Sequence, residues 1–253
     1  MKFRIGLFFV ATSFILFWFT ACQTGKSVAV ATSVSTDVFS EDYYVNNAAN
    51  NLERLKLLLT GLYVQRNEDT KKGTMVTWTM RDGADSILLY AMPVGDPLKD
   101  GHWLYVHQFI SNSPDDPVYS AFQEFKQKSR DSIETIMYEN PLKVSFEDLK
   151  AKGKDCFREL VFDELKENGE HVTYIKESRA SFEGYSKIYK NPRADANDYR
   201  KDEYHAKADQ FNFRSSFYGD IEGEDFIGEN PIISHLIRLD PEKHELFAKR
   251  KKK

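Results

Sequence analysis

One short segment combines a titratable imidazole with several aromatic rings. Residues 103–110 have the sequence WLYVHQFI, and a strand period of two places Trp103, Tyr105, His107 and Phe109 on one face. Both faces are largely apolar, so we predict a strand that is buried on both sides. An imidazole among aromatic rings has two interpretations. It is either a histidine hydrogen-bonded inside a core, which the pattern alone favours, or a polar group in an aromatic-lined ligand pocket.

Cys22 is the other residue whose neighbours indicate a specific chemistry. Two basic residues begin the chain, residues 5–19 are mainly apolar, and residues 19–22 have the sequence FTAC. A basic start, a short apolar run and a small residue before the cleavage point are typical of a secretory signal. The tetrapeptide resembles the lipobox of bacterial lipoproteins, whose cysteine carries the lipid.

We therefore predict that residues 1–21 are an export signal and that Cys22 is lipidated. The protein would be anchored in the bacterial cell envelope, to the inner or the outer membrane, and would face the periplasm or the cell surface. The alternatives are an ordinary signal peptide and an uncleaved anchor. The apolar run is shorter than the ~20 residues that a spanning helix usually needs.

The remaining titratable residues form no recognisable catalytic or metal-binding pattern. The six histidines show no i,i+4 pair and no spacing to cysteine that suits zinc, so we predict no metal site. No Gly-x-Ser-x-Gly turn is present, so a serine hydrolase has no support and the catalytic residues stay unknown. Cys156 lies in an apolar stretch and is predicted to be a small buried hydrophobe.

Net charge argues against a nucleic-acid partner. The formal charge is −4 and the pI is about 5.9, which leaves no overall basic surface. The one basic run is residues 249–253. It could contact anionic lipid headgroups, but a solvated tail is the favoured interpretation.

The order of elements predicts a mainly β protein. Residues 22–48 form a tether rich in small residues, residues 49–240 form the domain, and residues 241–253 form a basic tail. A short amphipathic helix covers residues 52–59, and a second helix covers residues 145–152. Many short strands argue for an antiparallel sandwich or barrel. The predicted strands are 62–64, 74–80, 86–92, 103–110, 119–125, 132–138, 172–175, 178–185, 210–218 and 232–239, and 191–208 is predicted to be a long loop.

Four short segments, in this order, carry a resemblance to a known family. They are GLY at 61–63 after the helix, DGHWLYVHQ at 100–108, PVY at 117–119 and YENP at 138–141. Together they resemble the CpcT/CpeT family of phycobiliprotein chromophore lyases. The resemblance implies an antiparallel calycin/lipocalin-like β-barrel with a short N-terminal helix.

The resemblance also implies a ligand and a partner. Members attach an open-chain tetrapyrrole, a bilin, to an acceptor protein, so a bilin-like ligand is possible here by resemblance only. Two positions depart from the family pattern, because His107 stands where the family has Glu, and Ser120 follows Tyr119 where the family has Arg. No other cofactor is evident.

Two hypotheses for function follow. In the first, a lipid-anchored barrel binds a hydrophobic or tetrapyrrole-like ligand at Tyr105, His107, Tyr119 and Tyr138, with chromophore lyase activity as its narrower form. In the second, the chain is a structural or interaction lipoprotein whose barrel is packed shut. Convergence of those four side chains on an open cavity would favour the first hypothesis.

Overall fold

This computed structural model describes residues 39–65, 87–191 and 198–240. None of the helices in these ranges is long and apolar enough to cross a membrane. The predicted export signal, Cys22, the predicted strand at 74–80 and the basic tail lie outside the described residues.

Eleven described strands and three α-helices form the structure. The two predicted helices are confirmed, since α-helices occur at both positions. Asn50 and Ser145 cap their first turns by accepting hydrogen bonds from the backbone N–H groups of Glu53 and Asp148. In chain order the elements are α1 (Glu41–Asn46), α2 (Asn51–Leu59), β1 (Gly61–Gln65), β2 (Ile87–Val94), β3 (His102–Ile110), β4 (Tyr119–Gln127), β5 (Ser132–Glu139), α3 (Phe146–Lys152), two 3₁₀ turns (Gly153–Phe157 and Phe162–Glu164), β6 (Glu167–Ser178), β7 (Ser181–Ser186), β8 (Tyr189–Lys190), β9 (Tyr199–Ala206), β10 (Gln210–Tyr218) and β11 (Phe226–Leu239).

Ten of the described strands close into one antiparallel barrel. The order is β10-β11-β1-β2-β3-β4-β5-β6-β7-β9, and β10 pairs with β9 as well as with β11. The two-residue strand β8 pairs with β9 beside the ring. The prediction of a mainly β, antiparallel barrel is therefore confirmed.

Two predicted segments are corrected. The loop predicted at 191–208 contains β9, a full strand of the ring, whose inward residues are polar and so hide the apolar alternation of a strand. The end of the predicted tether is also structured. Tyr44 of α1 is 1% exposed, and its hydroxyl donates to the carbonyl oxygen of Ala208 at 3.1 Å.

The side chains of the barrel form two apolar layers. Inside, Leu55 and Leu58 of α2 pack with Phe125 and Phe182 at one end. Outside, a layer made by α3 and the two 3₁₀ turns covers β2–β5. This outer layer consists mostly of large apolar side chains, namely Trp103, Tyr105, Phe109, Phe122, Tyr138, Phe146, Leu149, Phe157 and Phe162.

Arg238 of β11 connects the last strand to the helix that fills this end of the barrel. Its guanidinium donates to the carbonyl oxygens of Leu58 and Thr60, at the C-terminal end of α2, and to the hydroxyl of Tyr63. It also lies 4.7 Å from the ring centroid of Tyr63 and 5.3 Å from that of Tyr44. A cation at a helix C-terminus is favourable, and these contacts tie β11, α2 and β1 together.

Replacing Arg238 with methionine is expected to lower the free energy of unfolding by about 2–4 kcal/mol, because the carbonyl of Thr60 would lose its Arg238 donor and that of Leu58 would keep only the hydroxyl of Tyr63. Urea unfolding followed by circular dichroism measures this change. The control is Arg214→Met, which removes a surface ion pair with Glu203 (3.5 Å) and is expected to cost under about 1 kcal/mol. Equal losses in the two variants would contradict the proposed role of Arg238.

Candidate ligand-binding cavity

A cavity of about 170 Å³ lies inside the barrel. Leu59 of α2 contributes to its lining, and Ala91, Val106 and Met137 of β2, β3 and β5 form part of an apolar side. One water molecule needs only ~10–15 Å³ by this measure, so the space suits a small organic molecule or a group of waters.

The other side of the cavity is polar where β6 and β9 line it, and Phe211 and Phe213 of β10 add aromatic rings to the lining. Glu170, Arg200 and Tyr204 line it, and Asp202, which is 0% exposed, lies behind them. Tyr204 donates its hydroxyl proton to Glu170 Oε1 at 2.5 Å. Arg200 Nε donates to Asp202 Oδ1 at 2.8 Å, and Arg200 Nη2 donates to Ser215 Oγ at 3.0 Å.

The buried carboxylate of Asp202 is surrounded by donors. It accepts hydrogen bonds from the hydroxyls of Tyr189 and Ser215, both at 2.5 Å, and its backbone N–H donates to Ser186 Oγ at 2.7 Å. Buried charges persist in proteins when they are paired and hydrogen-bonded in this way. The Arg200–Asp202 pair is thus internally compensated.

Glu170 is the buried acid whose titration is most altered. Burial, and then the negative charge of Asp202, raise its pKa, whereas Arg200 and the hydrogen bond from Tyr204 act in the opposite direction. Burial also raises the pKa of Tyr204 well above its ordinary value. The polar side therefore offers one carboxyl group with a raised pKa, a paired guanidinium and neutral phenols.

Of the four residues predicted to bind a ligand, only Tyr119 lines the cavity. Its hydroxyl accepts a hydrogen bond from Asn168 Nδ2 at 3.2 Å, and burial raises its pKa. It reaches the cavity because Tyr119 and Gln123 share the inward face of β4, whereas Phe122 joins the outer layer.

Tyr105, His107 and Tyr138 do not line this cavity, so the four residues do not converge on it. Their face of β3 and β5 turns outwards, and Tyr105 packs 4.6 Å from the ring centroid of Phe157. Tyr138 donates its hydroxyl proton to Glu124 Oε2 at 2.7 Å. The physical reason is the pleat, which leaves the opposite, smaller face of β3 to line the cavity.

His107 matches the favoured interpretation, a histidine bonded within a core. It is 0% exposed, with Nε2 at 2.9 Å from the carbonyl oxygen of Pro114 and Nδ1 at 3.0 Å from the hydroxyl of Tyr105. A carbonyl only accepts, so Nε2 carries the proton and Nδ1 accepts from Tyr105. Burial lowers the pKa of His107, and the Pro114 carbonyl and Asp115 only partly oppose this.

One group of possible metal ligands occurs among the described residues, on the outside of the barrel. Glu177, Glu183 and His205 place one ligand atom each within 4.8 Å of one another. His205 Nε2 already contacts Glu177 at 2.9 Å, and the hydroxyls of Ser181 and Tyr185 donate to the two glutamates. These contacts account for the cluster as a surface hydrogen-bond network.

Sequence reasoning missed the polar side of the cavity, namely Glu170, Arg200, Asp202 and Tyr204. Three of them alternate along residues 199–206, and most of the other residues there are charged or polar, so neither face of the strand shows an apolar period of two. The signal that could have identified this strand is the alternation of Arg200, Asp202 and Tyr204. A basic, an acidic and an aromatic residue at every second position can form one hydrogen-bonded face of a strand.

The lowered pKa of His107 gives a pH dependence. In the unfolded chain the imidazole takes up a proton near pH ~6.5, whereas the buried imidazole resists protonation until lower pH. Its contribution to stability is therefore present above pH ~6.5 and is lost as the pH falls through the folded-state pKa. Urea unfolding between about pH 7.5 and pH 5 is expected to show a smaller loss of stability in His107→Gln than in the wild type. Equal pH slopes would contradict this assignment.

Comparisons with known proteins show similarity to solved structures at the level of the fold alone. No family model and no curated protein matches the chain. Among solved structures, the CRL protein of Arabidopsis is 16% identical, with a TM-score of 0.44, over 71% of this chain and 94% of that one. The T-type phycobiliprotein lyase CpeT from Prochlorococcus phage P-HM1 is 10% identical, with a TM-score of 0.41, over 73% of this chain and 96% of that one. A lyase of the kind that the sequence resembles is thus among the similar structures. Identities and scores this low carry no function, which is argued below from the chain's own residues.

Proposed function

We propose that this protein is a lipid-anchored barrel that binds a small amphipathic ligand in its cavity. The observation that carries the proposal is the unequal lining. Ala91, Val106 and Met137 offer an apolar surface, and Glu170 and Arg200 offer hydrogen-bonding groups within the same buried space. Ligand sites are commonly of this kind, mostly apolar with a few placed polar groups.

Energetic considerations support a ligand over a barrel packed only for stability. Burying the Arg200–Asp202 pair requires desolvation that apolar residues of similar volume would avoid. Lining this space with Ala91, Val106 and Met137, instead of larger side chains that would fill it, also forgoes packing energy. A barrel that serves only as a structural element gains nothing from these two costs, whereas a barrel that binds a ligand needs both the polar groups and the space. The costs therefore disfavour the structural alternative.

The resemblance to the chromophore lyases suggests an open-chain tetrapyrrole as one ligand to test. The Ser120 position, where the family has Arg, does not line this cavity. Ser120 Oγ accepts a hydrogen bond from Asn140 Nδ2 at 3.0 Å. Lyase activity would further require an acceptor protein, and it is the narrower form of the proposal.

Filling the cavity is expected to abolish binding. Val106→Trp places an indole in the apolar side of the cavity, so the affinity for the neutral fluorescent probe 1-naphthalenemethanol should fall by about ten-fold or more. The matched control is Ile175→Trp, on the outer surface of β6, where the side chain is 51% exposed. Full-length protein in zwitterionic lipid nanodiscs is titrated by fluorescence, and the control also corrects for partition of the probe into lipid.

Equal probe binding by Val106→Trp, Ile175→Trp and the wild type would contradict a cavity site, and no binding at all would favour the closed structural barrel. The same titration with the tetrapyrrole biliverdin tests the narrower form. An absorbance shift that Val106→Trp abolishes would support it. No shift at high micromolar biliverdin would exclude the lyase.

We also propose that Cys22 carries the lipid. In bacterial cells given radiolabelled palmitate, the wild type is expected to incorporate label and to sediment with membranes, because two or more acyl chains give stable anchoring. Cys22→Ser should lose the label. Cys156→Ser, which removes a half-buried thiol inside the domain, should keep it. Labelling of Cys22→Ser would contradict the anchor.

A further inference from the structure

The cavity side formed by β6 and β9 has unequal numbers of acidic and basic groups. Among the described residues that line it, the carboxyl of Glu170 and the guanidinium of Arg200 are the acidic and basic groups. Asp202, directly behind Arg200, adds a second carboxyl. This side of the cavity therefore has two carboxyl groups and one guanidinium, and the guanidinium is paired with Asp202.

Arg200 is already occupied by the protein. Its Nε pairs with Asp202 at 2.8 Å and its Nη2 donates to Ser215 at 3.0 Å, while its guanidinium carbon lies 5.9 Å from the ring centroid of Phe217. The charge of Asp202, 0% exposed, compensates that of Arg200 at close range. An anionic ligand would meet a cation whose charge is largely neutralised, and it would be repelled by both acids.

Glu170 is the acid left for a ligand. It is 8% exposed and lines the cavity, and no ion pair within 4.0 Å involves it among the described residues. Tyr204 donates to Oε1 at 2.5 Å, and Tyr189 also hydrogen-bonds this carboxyl. A carboxylate has about four lone-pair sites, so acceptor capacity remains for a ligand.

We propose that the ligand presents a cationic amine or another hydrogen-bond donor to Glu170, and not a carboxylate. This inference rests on the proposed function, because it names the polar end of the molecule that the cavity binds. The apolar body of the ligand lies against Ala91, Val106 and Met137. A charge-assisted N–H···O contact to Glu170 then sets its orientation.

Binding of an amine to Glu170 is expected to depend on pH, because the carboxyl must lose its proton to pair with an ammonium group. Burial and then Asp202 raise the pKa of Glu170, so its carboxyl keeps a proton up to a higher pH than an exposed glutamate does. When an ammonium group binds, that proton leaves to solvent and an ammonium–carboxylate pair forms. Amine affinity should therefore increase as the pH rises through the pKa of Glu170.

The tyrosines and the arginine around Glu170 do not titrate in this range. The hydroxyls that surround it belong to tyrosines whose pKa values are raised by burial, so they stay neutral, and Arg200 stays charged. Asp202 accepts three hydrogen bonds and remains the partner of Arg200. The facing titratable groups are Arg200, Asp202 and Tyr204 on β9, Tyr189 on β8, Tyr119 on β4 and Tyr174 on β6 itself.

Three probes with the same ring system test the inference. Full-length protein in zwitterionic nanodiscs is titrated with 1-naphthylmethylamine, 1-naphthalenemethanol and 1-naphthoic acid. The amine is expected to bind at least about ten-fold more tightly than the acid. Glu170→Gln should weaken amine binding by about ten-fold and leave the neutral alcohol within about two-fold, because glutamine keeps the shape and the acceptor for Tyr204.

The control variant is Glu203→Gln, which removes a 42%-exposed carboxylate from the outside of β9 and should change none of the three affinities. If the acid binds more tightly than the amine, or if Glu170→Gln leaves the amine unaffected, the inference is overturned while the cavity site stands. If none of the three probes binds, the proposed function itself fails. These two failures are thus distinguishable.

Discussion

Closure of the barrel is the constraint on which the rest of the structure depends. In a closed antiparallel ring each strand has one face inside and one outside, and no edge on which polar groups can reach water. The pairing of β9 with both β7 and β10 completes the ring, so the inward residues of β9 must be buried together. Arg200, Asp202 and Tyr204 therefore meet Glu170 of β6 inside the protein, where they satisfy one another.

Closure of the barrel also explains why the end next to α2 needs extra hydrogen-bond donors. A barrel that ends on a helix leaves the last carbonyl groups of that helix without intrahelical partners. Arg238 of β11 donates hydrogen bonds to the carbonyl oxygens of Leu58 and Thr60, so a strand of the ring also caps the C-terminal end of this helix. The last carbonyl groups of α2 are thereby bonded within the protein, whereas beside the cavity Glu170 keeps acceptor capacity for recognition.

The sequence predicted the outline of this fold but not the assignment of its faces. Local signals were sufficient where capping residues and apolar periods coincide, as at Asn50 and Ser145. A period of two says which residues share a face but not which face points inwards, so it could not show that Tyr105 and His107 lie on the face of β3 away from the cavity. Strand β9 was missed because both of its faces are polar, and only long-range pairing defines it.

The position of the aromatic residues explains the existence of the cavity. The large rings of β3, together with Phe122 of β4, pack outside beneath α3 and the 3₁₀ turns, so the inward positions of β3 are left to smaller side chains such as Val106. Ala91, Val106 and Ala121 lie together in the middle of the inner wall, and they cannot reach across the lumen to the polar side. The residue types that suggested a ligand pocket thus create one indirectly, since packing them outside leaves the space inside that Glu170 and Arg200 face.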